Sequence, residues 1–315
     1  MSRATVSYVL NHNPHQTIAP TTRQRVLDAA ARLSYTPSVA AQMLRGVRSR
    51  VVLCLLSDWP LGYSTMEMLE GLSQILREHE LTLVLHTHDP AALEADVWRS
   101  VTAAAVISFN DVSPATATAI RAAGIDVLVP MFGRRATLGR TLEAAQHRIA
   151  QLQVEHLRMR GHRRLAYAAA DDPRFRRLSA ARFRGIQAAC QRAGLPAPAT
   201  LTVPLELAGA VEALRALRLG PRGTTAALCA TDDVALAVLG AMHRLGRAVP
   251  KDLAVMGTED IPAAQLAVPA LTTVRVDTSW VARRMGEVIV AALRGEAVPP
   301  ARGVAPTTLV QRDSA

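Results

Sequence analysis

Lys251 is the only lysine among 36 basic side chains in this 315-residue sequence. It follows a Val-Pro pair and precedes Asp252, so no glycine-rich loop ending in Lys-Ser or Lys-Thr cradles a nucleotide phosphate. Cysteine is equally scarce: Cys54, Cys190 and Cys229 are odd in number, far apart, and set in apolar or helical surroundings. That pattern excludes a disulfide scaffold and predicts reduced core thiols. No apolar run approaches the roughly 20 residues a bilayer requires, and the opening residues lack the charged-then-apolar pattern of a secretion signal. The expected compartment is the cytoplasm.

Acidic residues are nearly missing from the first fifty positions. Asp28 stands alone there against Arg3, Arg23, Arg25, Arg32, Arg45, Arg48 and Arg50, a balance of 7 − 1 = +6. The remaining 265 residues carry 29 basic and 25 acidic side chains, or +4 of the total +10. One sixth of the chain therefore holds more than half of its net charge, as expected of a small phosphate-binding module on a nearly neutral body; a solvated basic arm is the plainer alternative. With half of its residues apolar and a fifth charged, the chain has an ordinary globular composition and ample length for a core.

The body alternates. Val51 to Leu56 is a continuous apolar run of the kind buried on both faces of a parallel sheet, and a helix with Met66, Leu69, Leu72 and Leu76 at helical spacing follows. Strands are expected at 81–85, 101–109 and 127–129, helices at 91–100 and 114–123. A long helix from about Thr141 to Arg160 ends at Gly161. The rhythm restarts with a strand at 164–168 and a helix from Ala180 to Ala193, continuing to a strand at 253–256. Two doubly wound α/β units result, with a ligand expected beyond the carboxyl ends of the strands, between the units. The first 49 residues break the rhythm: a short helix at 5–10, a polar loop, an amphipathic helix at 22–33 with Val26, Leu27, Ala30 and Leu33 inward, then a short helix at 39–44 capped by Ser38.

Ser2-Arg-Ala-Thr-Val-Ser-Tyr-Val-Leu-Asn11, Thr22-Arg-Gln-Arg-Val26, Leu33-Ser-Tyr-Thr-Pro37 and Ala40-Ala-Gln-Met-Leu44 closely resemble the DNA-binding headpiece of the LacI/GalR family of transcriptional regulators. Gly161-His-Arg-Arg-Leu165, Arg182-Phe-Arg-Gly-Ile186, Ala230-Thr-Asp-Asp-Val-Ala235, Gly257-Thr-Glu-Asp260 and Leu271-Thr-Thr-Val274 extend the resemblance through the body in the family's order. It implies an α/β fold of two periplasmic-binding-protein-like lobes behind a small, truncated all-α helix-turn-helix headpiece. The implied divisions are a headpiece at 1–37, a hinge at 38–49 and an effector-binding and dimerisation body at 50–315. Within the body, the first lobe takes about 50–161 and 277–298, the second about 162–274 and 305–313. About twenty further residues precede Met1 in the family, supplying the first helix of the motif. A start placed inside a longer reading frame, or a truncated gene, is therefore expected, and residues 1–33 as written lack a core partner.

The resemblance makes Ser2 to Leu10 the recognition helix. Arg3, Ala4 and Tyr8 occupy base-reading positions: Arg3 is suited to a bidentate contact with guanine, Ala4 to a thymine methyl, Tyr8 to a base edge or a phosphate. Thr5 and Ser7 contact phosphates and set register. Leu44, on the implied hinge helix, matches the leucine that wedges between base pairs in the minor groove; simple packing against the body is the alternative. An isolated helix this short is unstable, so its folding is coupled to DNA and to a second subunit. In the body, Arg182 matches the family's ligand-binding arginine, Thr231 and Glu259 stand where ligand hydroxyls are bonded, and Ser57 ends the first strand at the cleft mouth. Met131 replaces a side chain that is often polar, and with Trp59-Pro60 it argues against a plain sugar. Asp232 is assigned to capping the helix after its strand.

No enzyme chemistry emerges. His86-Thr-His88-Asp89 has no partner cluster for a metal, and Gly62-Tyr-Ser64 lacks the glycine that completes a hydrolase elbow. Neither a cofactor nor a metal is expected. Two readings stand: a ligand-responsive, homodimeric repressor that binds operator DNA and a small polar effector such as a sugar or related metabolite, and a two-lobed small-molecule sensor without DNA binding.

Overall fold

The computed structural model describes residues 2–10, 18–33, 49–56, 59–87, 97–132, 136, 138–298, 300 and 303–315, and of Arg3, Leu10, Arg99, Arg140 and Leu142 the backbone alone. The hinge at 39–44 with Leu44, and Ser57, lie outside these residues. The chain forms two compact units, Met1–Ser49 and Arg50–Ala315.

In the first unit, α1 (Arg3–Leu10) and α2 (Pro20–Arg32) pack on each other. Ser2 caps α1, its hydroxyl accepting from Thr5 N at 3.1 Å, and Pro20 opens α2 where its missing N–H costs nothing. Val9 and Val26 are buried, whereas Leu27 and Leu33, both expected to face inward, are exposed. The buried face of α2 is narrower than its apolar periodicity suggests.

The larger unit holds two four-stranded sheets. The first, in the order β2-β1-β3-β4, is built from β1 (Val51–Leu55), β2 (Thr82–His86), β3 (Ala105–Ser108) and β4 (Val127–Pro130), all parallel. The helices between them are α3 (Tyr63–Glu78), α4 (Val97–Ser100) and α5 (Pro114–Ala122). On α3 the buried set is Met68, Leu69, Leu72 and Leu76; Met66, expected among them, is exposed. The expected strand at 101–109 is confined to Ala105–Ser108, which lies inside the sheet between β1 and β4. Of the helix expected at 91–100, the described part is Val97–Ser100.

The second sheet repeats the plan in the order β6-β5-β7-β8, from β5 (Leu165–Ala170), β6 (Ala199–Val203), β7 (Ala226–Cys229) and β8 (Ala254–Met256). Its helices are α6 (Gly139–Met159), α7 (Arg176–Arg192), α8 (Leu207–Arg215), α9 (Asp232–Arg244) and the short α10 (Pro262–Leu266). Gly161 and Gly194 follow α6 and α7 with φ of 88° and 65°, the left-handed conformation that ends a helix at little cost to glycine. Although the lobe boundary was expected after residue 161, Ile149, Val154 and Leu157 of α6 lie in the second lobe's core; the first lobe receives Leu138 and Ala145. α6 therefore crosses between the lobes and belongs mainly to the second.

After β9 (Thr273–Val276) the chain returns to the first lobe as α11 (Thr278–Arg294), where Val281, Ala282, Met285, Val288 and Ile289 join the core beneath α3. It then crosses back as β10 (Thr307–Val310), antiparallel to β9. The three thiols are free and buried, and burial pushes their pKa values up, in keeping with reduced core cysteines.

A Cβ at Gly257 would lie 2.0 Å from Asp232 Oδ1, an oxygen already bonded to Thr273. Gly257→Ala is expected to lower unfolding free energy by about 1–3 kcal/mol through forced displacement of that carboxylate, measured by urea titration. An unchanged midpoint would show that the loop yields freely.

Candidate functional site

The carboxyl ends of both sheets face a cavity of about 880 Å³ between the lobes. α7 supplies its basic side. Ser179, Arg182, Gly185, Ile186 and Ala189 form that helix's buried stripe, so Arg182 is carried inward with apolar neighbours. Gly185 makes the approach of α6 possible: a Cβ there would meet Ala150 Cβ at 3.1 Å and Gln146 O at 3.2 Å. That approach sets Gln146 against Arg182, whose Nε donates to Gln146 Oε1 at 2.8 Å. Arg182 also donates to the Ala230 carbonyl at the end of β7 and pairs with Glu259 Oε1 at 3.5 Å.

Glu259 is held from behind. It and Asp260 have φ of 121° and 61°, a region costing roughly 1–3 kcal/mol for a residue with a side chain. The loop is pinned by Asp232, which is fully buried; its Oδ2 accepts from Ile261 N at 2.9 Å and its Oδ1 from Thr273 Oγ1 at 2.6 Å. Asp260 adds ion pairs with Arg275 and, at 2.7 Å, with Arg312. Burial pushes the Glu259 carboxyl up to about 7; Arg182 opposes the shift, while Asp232 and Asp233 add to it.

The first lobe offers an aromatic wall. Trp59 stacks on Phe132 with centroids 5.2 Å apart, and Phe109 meets both edge-on at 5.1 and 4.8 Å. Trp59 Nε1 donates to Thr65 Oγ1 at 3.2 Å, fixing the indole. Arg177, in the first turn of α7, reaches across the cleft to Asn110 Oδ1 at 3.2 Å and the Phe132 carbonyl at 3.0 Å, with Asp111 at 3.7 Å. It is a direct link between the lobes.

Of the effector residues expected from sequence, Arg182 and Glu259 come together. Met131 does not reach the cavity: it is fully buried in the first lobe's core. Successive residues at a strand end face opposite ways, and Phe132 is the one turned to the cleft. Thr231 is also displaced from the site; buried, it caps α9, its hydroxyl accepting from Val234 N at 3.2 Å. The cap assigned to Asp232 is thus made by Thr231, and Asp232 instead secures the Glu259 loop. In the first unit, Ala4 is exposed, Thr5, Ser7 and Tyr8 are half-buried, and the Thr5 hydroxyl is shared with Ser2 at 2.9 Å. Gln146, Arg177 and Phe132 were not singled out from sequence. Only Phe132, one position past Met131, had a signal that strand parity could have read.

Residues 1–38 match the model of bacterial regulatory proteins of the lacI family, and residues 154–315, half of the chain, match that of the periplasmic binding protein-like domain. The chain belongs to the LacI family and carries its periplasmic-binding-protein-like body. Curated relatives include the HTH-type transcriptional regulator GntR of Pseudomonas aeruginosa, 27% identical over 296 residues covering 89% of this chain and 83% of the relative. CelR of Thermobifida fusca is 26% identical, covering 100% of this chain and 95% of the relative. Among solved structures, a lac repressor dimer bound to operator and the anti-inducer ONPF shares the fold at a TM-score of 0.79 and 21% identity, covering 100% of this chain and 95% of that one. A CelR–cellobiose complex does so at 0.62 and 23%, covering 100% of this chain and 96% of that one. Among the described residues of this LacI-family chain, no helix is long and apolar enough to cross a membrane.

The raised carboxyl of Glu259 sets a pH dependence. Between its ordinary value of 4.5 and about 7 the folded chain holds a proton that the unfolded chain has released, so this group's contribution to stability falls as pH rises through that window. Glu259→Gln is expected to flatten the decline measured by denaturant titration from pH 4.5 to 7.5; an unaltered slope would show that Glu259 is ionised throughout.

Proposed function

We propose that this chain is a ligand-responsive, DNA-binding transcriptional repressor, a cytoplasmic homodimer with no enzymatic activity, whose inter-lobe cavity takes a small polar effector and thereby governs operator binding. The supporting observation is the presence in one chain of a cationic two-helix unit and a two-lobed body with a charge-lined cavity. α1 presents its exposed N-terminal end, with Arg3 and Ala4 as base-reading residues and Tyr8 reaching a base edge or phosphate. Thr5 and Ser7 fix register on phosphates. Leu44 wedges into the minor groove. Exposed Leu266 and Val268 on the second lobe fit burial against a second subunit.

In the body, Arg182 and Glu259 receive the effector's polar groups, with Ser57 as a further effector-binding residue. The Arg177 bridge links effector and DNA. A ligand that fits between Arg182 and the aromatic wall favours one separation of the lobes, and because Arg177 contacts both lobes, occupancy biases that separation. Ligand and operator then influence each other through one coupling free energy.

A thermal-shift screen of small hydroxylated metabolites tests the cavity. A true effector raises the melting temperature, by the equivalent of about 2.7 kcal/mol at a hundredfold excess over Kd. Arg182→Gln is expected to remove that shift while leaving DNA affinity unchanged; a shift that survives would relocate the site.

DNA fragments selected from a random pool test the other half. Binding should weaken steeply with salt as arginine–phosphate contacts release counterions, and Leu44→Ala should cost specific binding about 1–3 kcal/mol. Salt-independent binding, or none, would favour a sensor without DNA function.

A further inference from the structure

The cavity is divided in its chemistry. Its first-lobe side presents Trp59, Phe132, Met68 and Val281; Leu178 and Val276 extend the apolar surface from the second. Polar side chains are interspersed with them, and most are already engaged. Arg182 is spent on Gln146, the Ala230 carbonyl and Glu259. The Thr278 hydroxyl donates to Glu67 Oε2 at 2.7 Å, and the Thr65 hydroxyl accepts from Trp59. A further hydroxyl that a sugar ring would use is absent from the lining, because Thr231 caps a helix. A pyranose carries hydroxyls around its whole edge, and each one buried without a partner costs about 1–3 kcal/mol.

The charges are balanced as well. Arg182 faces Glu259, Arg177 faces Asp111, and Arg184 and Glu143 add one charge of each sign, so a ligand with net charge would leave one cavity charge uncompensated in a mostly apolar enclosure. Volume points the same way. At about 880 Å³ the cavity lies high in the roughly 300–1,000 Å³ range of small-molecule sites, and a lone monosaccharide would leave much of it to water.

We infer that the effector is an uncharged, amphipathic molecule with an aromatic ring at one end and a short hydroxylated part at the other. This rests on the proposed reading of the cavity as the effector site. The ring packs against the Trp59–Phe132 stack in the offset or edge-on arrangements that aromatic pairs favour. The hydroxylated end meets Gln146, Arg182 and Glu259, the carboxyl of Glu259 accepting from a ligand hydroxyl or, when protonated, donating to one.

Matched neutral probes test this on the full chain by isothermal titration calorimetry: the p-nitrophenyl and methyl ethers of ethylene glycol, and the same pair of glycerol ethers. The nitrophenyl member is expected to bind about tenfold or more tightly than its methyl counterpart in at least one pair. Trp59→Leu should erase that difference, and Trp59→Phe should keep most of it, separating stacking from a loss of fold. Methyl ethers binding as tightly as their partners, with Arg182→Gln abolishing the binding, would overturn the aromatic class and leave the cavity as the effector site. Nitrophenyl binding untouched by both Trp59→Leu and Arg182→Gln would place the ligand elsewhere and overturn both readings. Silence from all four probes would overturn the aromatic class.

Discussion

A single buried carboxylate underlies the arrangement of the cleft. Among the described residues no cation pairs with Asp232; it is satisfied by the Ile261 amide and the Thr273 hydroxyl, each from a different segment of the second lobe. Because a buried polar group left unpaired is costly, those segments are held together as a unit. Glu259 stands on the loop so fixed, in a backbone conformation it would not hold unaided. Gly257 belongs to the same constraint, since a side chain there would occupy the space of the carboxylate. The position of the cavity-lining acid is thus set by interactions behind it rather than by anything in the cavity.

On the opposite face, Arg182 depends on helix packing. Without Gly185, α6 could not lie close enough for Gln146 to accept from the guanidinium. The two charged groups of the site are therefore carried by separate devices, a helix–helix contact and a pinned loop, and they meet at 3.5 Å. A pair so placed, with one partner pushed toward neutrality by burial, can respond to a ligand hydroxyl without large movement of either backbone.

Much of the body was legible in the sequence because parallel strands buried on both faces read as continuous apolar runs, and helices ending in Gly161 and Gly194 announce their stops. Arg182 and Glu259 were each assigned to the cleft through matched motifs, but their pairing with one another was not foreseen. What failed was side-chain direction. Met131 and Phe132 are adjacent and both apolar, so composition could not say which one enters the core; only the phase of β4 decides. Thr231 and Asp232 are both good capping residues, and the cap was assigned to the wrong one because a carboxylate with a hydroxyl and an amide to satisfy was invisible along the chain. Gln146 and Arg177 carried no local signal, since each acquires its role from a partner on another element: Arg182 across the α6–α7 contact, and Asn110 and Phe132 across the cleft. Leu27 and Leu33 followed a helical stripe wider than the neighbours available to cover it.

The path of α11 has a consequence for biosynthesis. Its residues Val281 to Ile289 complete the interior beneath α3, yet they are made more than two hundred positions after that helix. A ribosome will have released the whole second sheet before the first lobe can close its core. During that interval the apolar side of α3 lacks its partner, which exposes the nascent chain to aggregation and gives a chaperone surface to hold. The lobe begun first therefore cannot close until nearly all of the second has been made, and the closing segment, with β10 and Ala315, returns to the second.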